Sequence, residues 1–253
     1  MTLVEAKKLA DNGNVQAMLA LAKYYDQQKD DEEAGDLAKY YYCCAAEAGD
    51  LTAIRVLAQS SHAAAKATMA LTESFSYLIP CFEDAYKWTK ALFEHCNQLN
   101  IQGAAGEYVF EFYLDSIVWL SAAYNMDDNY AGIKRITGGV DHPVAKAIRG
   151  MALHELANTN AEIATAFDLL KNAMHPSFWD KKYSDPDTLE VLQVTVGMML
   201  STGYRVYYNN IDAAYNVLAT MLSHVKDTYL REVLQKNIAR YKKTLFGGYK
   251  YIG

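Results

Sequence analysis

Between Asn14 and Asp50 the apolar positions trace two successive helical faces, and then the pattern starts again. Ala17, Leu21, Ala22 and Tyr25 recur at three- and four-residue steps, which predicts a helix from Val15 to Tyr25. Ala38, Tyr42, Ala45 and Ala46 predict a second helix that ends at Gly49. The polar run Asp30-Asp31-Glu32-Glu33 separates the two. Gly13-Asn14 returns as Gly49-Asp50, and Ala17 as Ala53, an offset of 36 residues. A fixed period of that length is the signature of stacked helical pairs.

The same reading extends along the chain. Leu3, Ala6, Leu9 and Ala10 predict a short helix that stops at Asp11-Asn12-Gly13. Gly13 suits the left-handed position after a helix, and Asn14 and Asp50 suit the caps of the next ones. A further helix starts at Leu51, but the period slips after Ser60. Residues 60–70 extend that helix or insert another. Pro80 opens the next helix, where Ala85, Trp88 and Leu92 follow Ala38, Tyr41 and Ala45 by 47 residues. Residues 96–106 read as a loop, and residues 107–124 as a helix apolar on nearly all sides and therefore buried. Asp127-Asp128-Asn129 caps a short helix to Ile136. A clear unit spans 141–176, opened by Pro143 and stopped by His175-Pro176; Ala145, Arg149 and Gly150 repeat the spacing of Ala17, Leu21 and Ala22. After a polar connection from Trp179 to Asp187, another unit spans 188–224. Residues 226–246 predict one long capping helix before the tail Tyr249-Lys250-Tyr251-Ile252. The expected fold is all-α, an α-solenoid of about 11–13 helices in antiparallel pairs. It forms one domain over 1–253, with clear repeats near 14–60, 141–176 and 188–224 and an irregular middle.

At Leu21-Ala22-Lys23-Tyr24-Tyr25 and at residues 38–49 the chain resembles the Sel-one-like repeat, a subclass of the tetratricopeptide-like hairpins. That family pairs a Leu-Gly-x-x-Tyr helix with one of the form Ala-x-x-x-Tyr-x-x-Ala-Ala-x-x-Gly. Ala38, Tyr42, Ala45, Ala46 and Gly49 match the second form. Gly150 and Gly197 supply the small residue that is alanine at Ala22 and Ala58, and Gly203 falls where the family places its turn glycine. Small residues let paired helices approach closely. The resemblance implies that the first helix of each pair lines a concave, peptide-binding face. By register that lining is Gln16, Leu19, Lys23 and Asp26, then Arg55, Gln59 and His62, then Met151, His154 and Glu155. The plainer alternative is that these positions are only the wetter face.

Charge and composition narrow the partner. The chain is 51% hydrophobic and carries a net charge of −6, so it has core enough to fold and no basic footprint for nucleic acid. The charge is uneven: residues 226–253 hold seven Lys or Arg against Asp227 and Glu232. That is a solvated helix face or a docking strip for an acidic partner. No apolar run is long enough to span a membrane, no leader-like segment opens the chain, and the expected location is cytoplasmic. Cys43, Cys44, Cys81 and Cys96 have no metal-like spacing and read as buried thiols.

Candidate chemistry is sparse. His154-Glu155 starts like a zinc-protease motif, but Asn158 stands where the second histidine belongs. Surface or cap roles are expected for the scattered histidines His62, His142, His175 and His224, and no metal or cofactor is implied. Acids at the start of the second helix answer to the helix dipole rather than to calcium. Of the 20 tyrosines, most repeat at packing positions; Tyr204, Tyr207 and Tyr208 fall in an expected loop, as candidates for an interface. Tyr249 and Tyr251 in the tail either cap the chain's own array or dock on another copy. The reading is a non-enzymatic scaffold for a protein or peptide. A self-assembling subunit, joined through the basic C-terminal region and the aromatic tail, is the alternative, and a hidden enzyme comes third.

Overall fold

The computed structural model describes residues 2–28, 31–69, 78–173, 186–245 and 247–253, with the backbone alone at 186–189. Lys29 and Asp30, the alanine at position 70, the expected stop at His175-Pro176 and most of the connection after Trp179 lie outside the described residues. The described chain is all-α, with twelve helices and a single two-stranded hairpin. It forms two compact units, Met1–Ala123 and Tyr124–Gly253.

In the first unit local caps set the helix boundaries, among them Asn14 and Asp50 as anticipated from the sequence. α1 (Leu3–Asp11) opens with a reciprocal box: Thr2 Oγ1 accepts from the Glu5 N–H at 3.3 Å, and Glu5 accepts from the Thr2 N–H at 2.8 Å. Gly13 turns the chain at φ +83°, and Asn14 then caps α2 (Val15–Asp26) by accepting from the Ala17 N–H at 2.9 Å. The device repeats after α3 (Glu32–Glu47): Gly49 has φ +88°, and Asp50 accepts from the Ala53 N–H at 2.9 Å. The 36-residue recurrence is therefore a repeated turn as well as a repeated face. Asp31 caps α3, and Glu32 and Glu33 occupy its first turn, where the dipole favours them.

α4 (Leu51–Met69) is one continuous helix, so the slip after Ser60 lengthens it. α5 (Ile79–Gln98) carries Pro80 in its first turn, close to the expected start, and continues through Cys96, and α6 (Ala104–Met126) follows. The loop expected at 96–106 is shorter, because the apolar face of α5 persists to buried Cys96. Each of the first five helices packs on its sequence neighbour. Ala22, Ala45, Ala53 and Ala58 are fully buried in that core, and the Tyr25 and Tyr41 rings lie parallel with centroids 6.0 Å apart. α6 joins through Phe93 against Phe110 and through a buried hydroxyl pair, Thr89 and Ser116, 2.9 Å apart.

The second unit opens in the last turn of α6. Asn129 caps α7 (Tyr130–Ile136), and His142 caps α8 (Pro143–Leu156), its Nδ1 accepting from the Val144 N–H at 3.2 Å. α9 (Asn160–Ala173) packs on α8, and α10 (Pro186–Val206) packs on α11 (Ile211–His224). Glycines make these pairs close. A Cβ built on Gly150 would lie 2.9 Å from Leu170, and one on Gly197 2.6 Å from Met221. Gly203 departs from expectation. It lies inside α10, not in a turn, and the Phe167 ring of α9 occupies the place of its Cβ, 1.9 Å away.

The C-terminal region also differs. The helix expected over 226–246 ends early, as α12 (Thr228–Ile238), and β1 (Tyr241–Lys243) pairs antiparallel with β2 (Tyr249–Tyr251), Tyr241 opposite Tyr251. The helical period runs out after Ile238, because Tyr241 and Tyr251 form a cross-strand aromatic pair with centroids 5.2 Å apart. Glu190 in α10, itself buried, accepts from the Lys226 N–H at 2.6 Å and the Asp227 N–H at 3.1 Å, fixing the chain where α12 begins.

Candidate functional site

A cleft of about 510 Å³ lies between α3, α4 and α5 of the first unit. Its floor is apolar: Ala38 and Tyr42 from α3, Leu57 from α4 and Trp88 from α5. Its rim is polar. Lys39 of α3 reaches Asp84 of α5 at 2.7 Å, and Asp26, Ser60 and Ser61 complete the edge. The hydrogen bond to Asp84 holds the Lys39 ammonium above its ordinary pKa. That pair is partly exposed, so solvent screens it and an incoming charged group can exchange with either partner. Gly35 lies exposed at the cleft, and a Cβ built there meets nothing within 4 Å. The arrangement suits an apolar side chain flanked by polar or charged groups.

Of the residues anticipated from the first helices, Gln16, Lys23, Asp26, Arg55 and Gln59 are exposed, but only Asp26 borders the cleft. Lys23 and Arg55 make no ion pair among the described residues. Leu19 and His62 are not free. Leu19 belongs to the core, and His62 is buried against α6, its ring stacked on Phe112 at 4.1 Å with Nε2 3.3 Å from Asp115. The extra length of α4 carries His62 past the paired helices, so α6 covers it. The cleft lies instead among the second helices α3 and α5, with α4 between them.

In the second unit two sets anticipated separately come together. His154 sits 5.8 Å from Phe167 and 6.5 Å from Tyr207, and Phe167 also contacts Tyr208. Glu155 is exposed and lies 3.2 Å from His154 Nδ1, while Met151 is half-buried. Tyr207 and Tyr208 are exposed after the end of α10, and the Lys171 ammonium lies 4.7 Å from the Tyr208 ring centroid. Tyr204 is half-buried and helical, not in a loop, because α10 continues to Val206. Tyr249 and Tyr251 pack within their own unit. Tyr249 stacks on Tyr215 with centroids 3.6 Å apart, and its N–H donates to Asp212 at 2.7 Å. The side-chain hydrogen bond to Tyr249 holds the Tyr215 phenol above its ordinary pKa.

Of the cysteines, Cys96 is buried as expected; Cys43, Cys44 and Cys81 are only half-buried, a correction, and Cys81 lies on the helix face that lines the cleft. Desolvation pushes the Cys43 thiol up, which keeps it protonated and unreactive. Among the described residues no three His, Cys, Asp or Glu side chains converge to hold a metal ion, and no helix is long and apolar enough to cross a membrane. Comparison with known protein families, curated proteins and solved structures gives no match.

Proposed function

We propose that the chain is a helical-repeat scaffold of the Sel-one-like kind that docks a peptide segment of a partner protein. The observation that carries this reading is the cleft between α3, α4 and α5, with its apolar floor of Tyr42, Leu57 and Trp88 and its exchangeable Lys39–Asp84 rim. An aromatic floor gives an anchoring side chain area to bury, and a rim with both signs of charge selects its flanks. The ligand is an extended or helical segment that presents one large apolar residue between charged ones.

The test is to select peptides from a displayed library on the wild-type chain and measure them against two blocked variants. Gly35→Trp and Ala64→Trp each place an indole at the cleft from an exposed helical position. Both are expected to weaken the selected peptides about tenfold or more while leaving the circular dichroism spectrum unchanged. Lys23→Glu with Arg55→Glu, on the face first expected to bind, is the contrast and leaves affinity within about twofold. Peptides that bind the blocked variants as tightly as the wild type, or that lose binding only in the charge-reversed variant, refute the cleft as the docking place.

A further inference from the structure

A second cavity, partly open to solvent, lies in the other unit among α10, α11, α12 and the hairpin. It is small, about 50 Å³, and mostly polar. Ser201, Thr202 and Arg205 line it from α10, Asn237 from α12, Arg240 from the approach to the hairpin and Tyr241 from β1. No Asp or Glu among the described residues lines it.

The two arginines decide its character. A guanidinium stays protonated at any physiological pH and carries five N–H donors in one plane. Arg205 lies over the Tyr251 ring, its guanidinium carbon 4.2 Å from the centroid. Stacking occupies a face of the group and leaves the in-plane donors available. Neither the Arg205 nor the Arg240 guanidinium has a hydrogen-bond acceptor or ion-pair partner among the described residues. Two fixed positive charges therefore line one recess without a counter-charge among the described residues.

The neutral groups around them can also donate. Ser201 Oγ and the Tyr241 hydroxyl are 3.0 Å apart. One hydrogen joins the two oxygens, and the other is left to point elsewhere. The Asn237 amide donates to the Val233 carbonyl at 2.9 Å and keeps its second N–H. The volume is several times the roughly 10–15 Å³ that one water requires, and far below what a nucleotide needs. Positive charge, converging donors and this size together specify a small oxyanion.

We propose that this cavity binds a phosphate group, held by Arg205 and Arg240 with help from Ser201 or Tyr241 and from Asn237. The anion ties α10, α12 and the hairpin together, so its binding stabilises the second unit. The site is independent of the peptide cleft, and neither reading depends on the other.

The full chain is titrated with inorganic phosphate at constant ionic strength, with chloride as the control anion. Any tag goes at the N-terminus, since a Cβ built on Gly253 would lie only 3.0 Å from the Arg240 side chain. Saturable binding by calorimetry is expected, with a rise of roughly 5 °C in Tm at saturation. Arg205→Gln and Arg240→Gln should each weaken binding about tenfold or more. Arg240 is exposed, so its variant folds whatever becomes of the other. Lys242→Gln removes the same charge from an exposed strand position outside the cavity and should bind as the wild type does. O-phosphoserine is the parallel ligand: preference for it assigns the phosphate to a modified side chain, preference for inorganic phosphate to a free ion, and both support the site. The proposal is overturned if neither ligand binds saturably, or if folded Arg240→Gln binds as tightly as the wild type.

Discussion

The two units solve the close approach of helices differently. In the first, Ala22, Ala45, Ala53 and Ala58 are fully buried where helices pack, and the gaps beside them are filled by Tyr25, Tyr41 and Tyr42. In the second, Gly150, Gly197 and Gly203 face Leu170, Met221 and Phe167, whose side chains occupy the space a Cβ would need. An alanine keeps the helix's own propensity and sets the spacing by its methyl group. A glycine gives up about 1 kcal/mol of propensity and gains room for a large partner side chain. The first arrangement tolerates variation in the neighbour; the second fits one particular neighbour.

The sharpest break of this contrast is Gly203→Ala. Its methyl group would meet two atoms of the buried Phe167 ring at 1.9 Å, so the ring or the helix must move. Overpacking should outweigh the propensity gain and cost about 3 kcal/mol net, read by chemical denaturation. In a Phe167→Leu background the same substitution should cost much less. Stabilisation by Gly203→Ala in the wild type would end the argument.

Next in size is Glu190→Ala. Helix starts in the first unit rest on local caps such as Asn14 and Asp50, whereas α12 has Asp227 together with distant Glu190. Losing Glu190 leaves the Lys226 and Asp227 N–H groups without that acceptor, and a loss of about 2 kcal/mol is expected, with faster amide exchange at both. Unchanged exchange there would mean that α12 is fixed by other contacts.

Ala22→Gly is the converse test in the first unit. It imports the second unit's residue without a large partner to fill the space, and should cost about 1 kcal/mol or slightly more. A gain would show that the alanine is merely tolerated.

The last test reads a slope with pH rather than a single free energy. Burial pushes His142 down to about 4 from an ordinary 6.5, so the neutral ring that caps α8 is the folded form. As pH falls below 6.5 the unfolded chain takes up this proton first, and stability declines until the folded group also protonates near 4. The contribution is complete above pH 6.5 and lost below 4. His142→Asn supplies a cap of the kind used in the first unit and should flatten that part of the stability–pH curve. An unaltered slope would assign it to other groups.

Much of this was legible where local chemistry sets the structure. Gly13-Asn14 and Gly49-Asp50 mark turns through backbone conformation and cap bonds that need no distant partner. Pro80 and Pro143 mark helix starts for the same reason. Reading failed where a distant side chain decides. Gly203 looked like a turn residue until Phe167 was seen against it. His62 looked free because α6, 53 residues away, covers it through Asp115. The hairpin had a readable sign: Tyr249-Lys250-Tyr251 alternates with period two after Gly247-Gly248, but the apolar period from Leu230 to Tyr241 argued for a helix. The cleft had one as well. Lys39 and Asp84 carry opposite charge beside Ala38 and Ala85, the very positions that repeat at 47 residues.

The polar ties around α12 and the hairpin also carry a kinetic meaning. Most helices here pack on the helix next to them in sequence. Glu190 reaches its partners across 36 and 37 residues, Asp212 reaches Tyr249 across 37, and Ser201 meets Tyr241 across 40. These are the slower closures of the second unit, because chain entropy must be lost before any of them forms. On that ground the α8–α9 and α10–α11 pairs are expected to assemble first, with the hairpin docking on a surface already made. Since interactions formed late weigh mainly on the unfolding rate, Glu190 and Asp212 are then expected to act as latches on how long the unit stays folded, not on how fast it gets there.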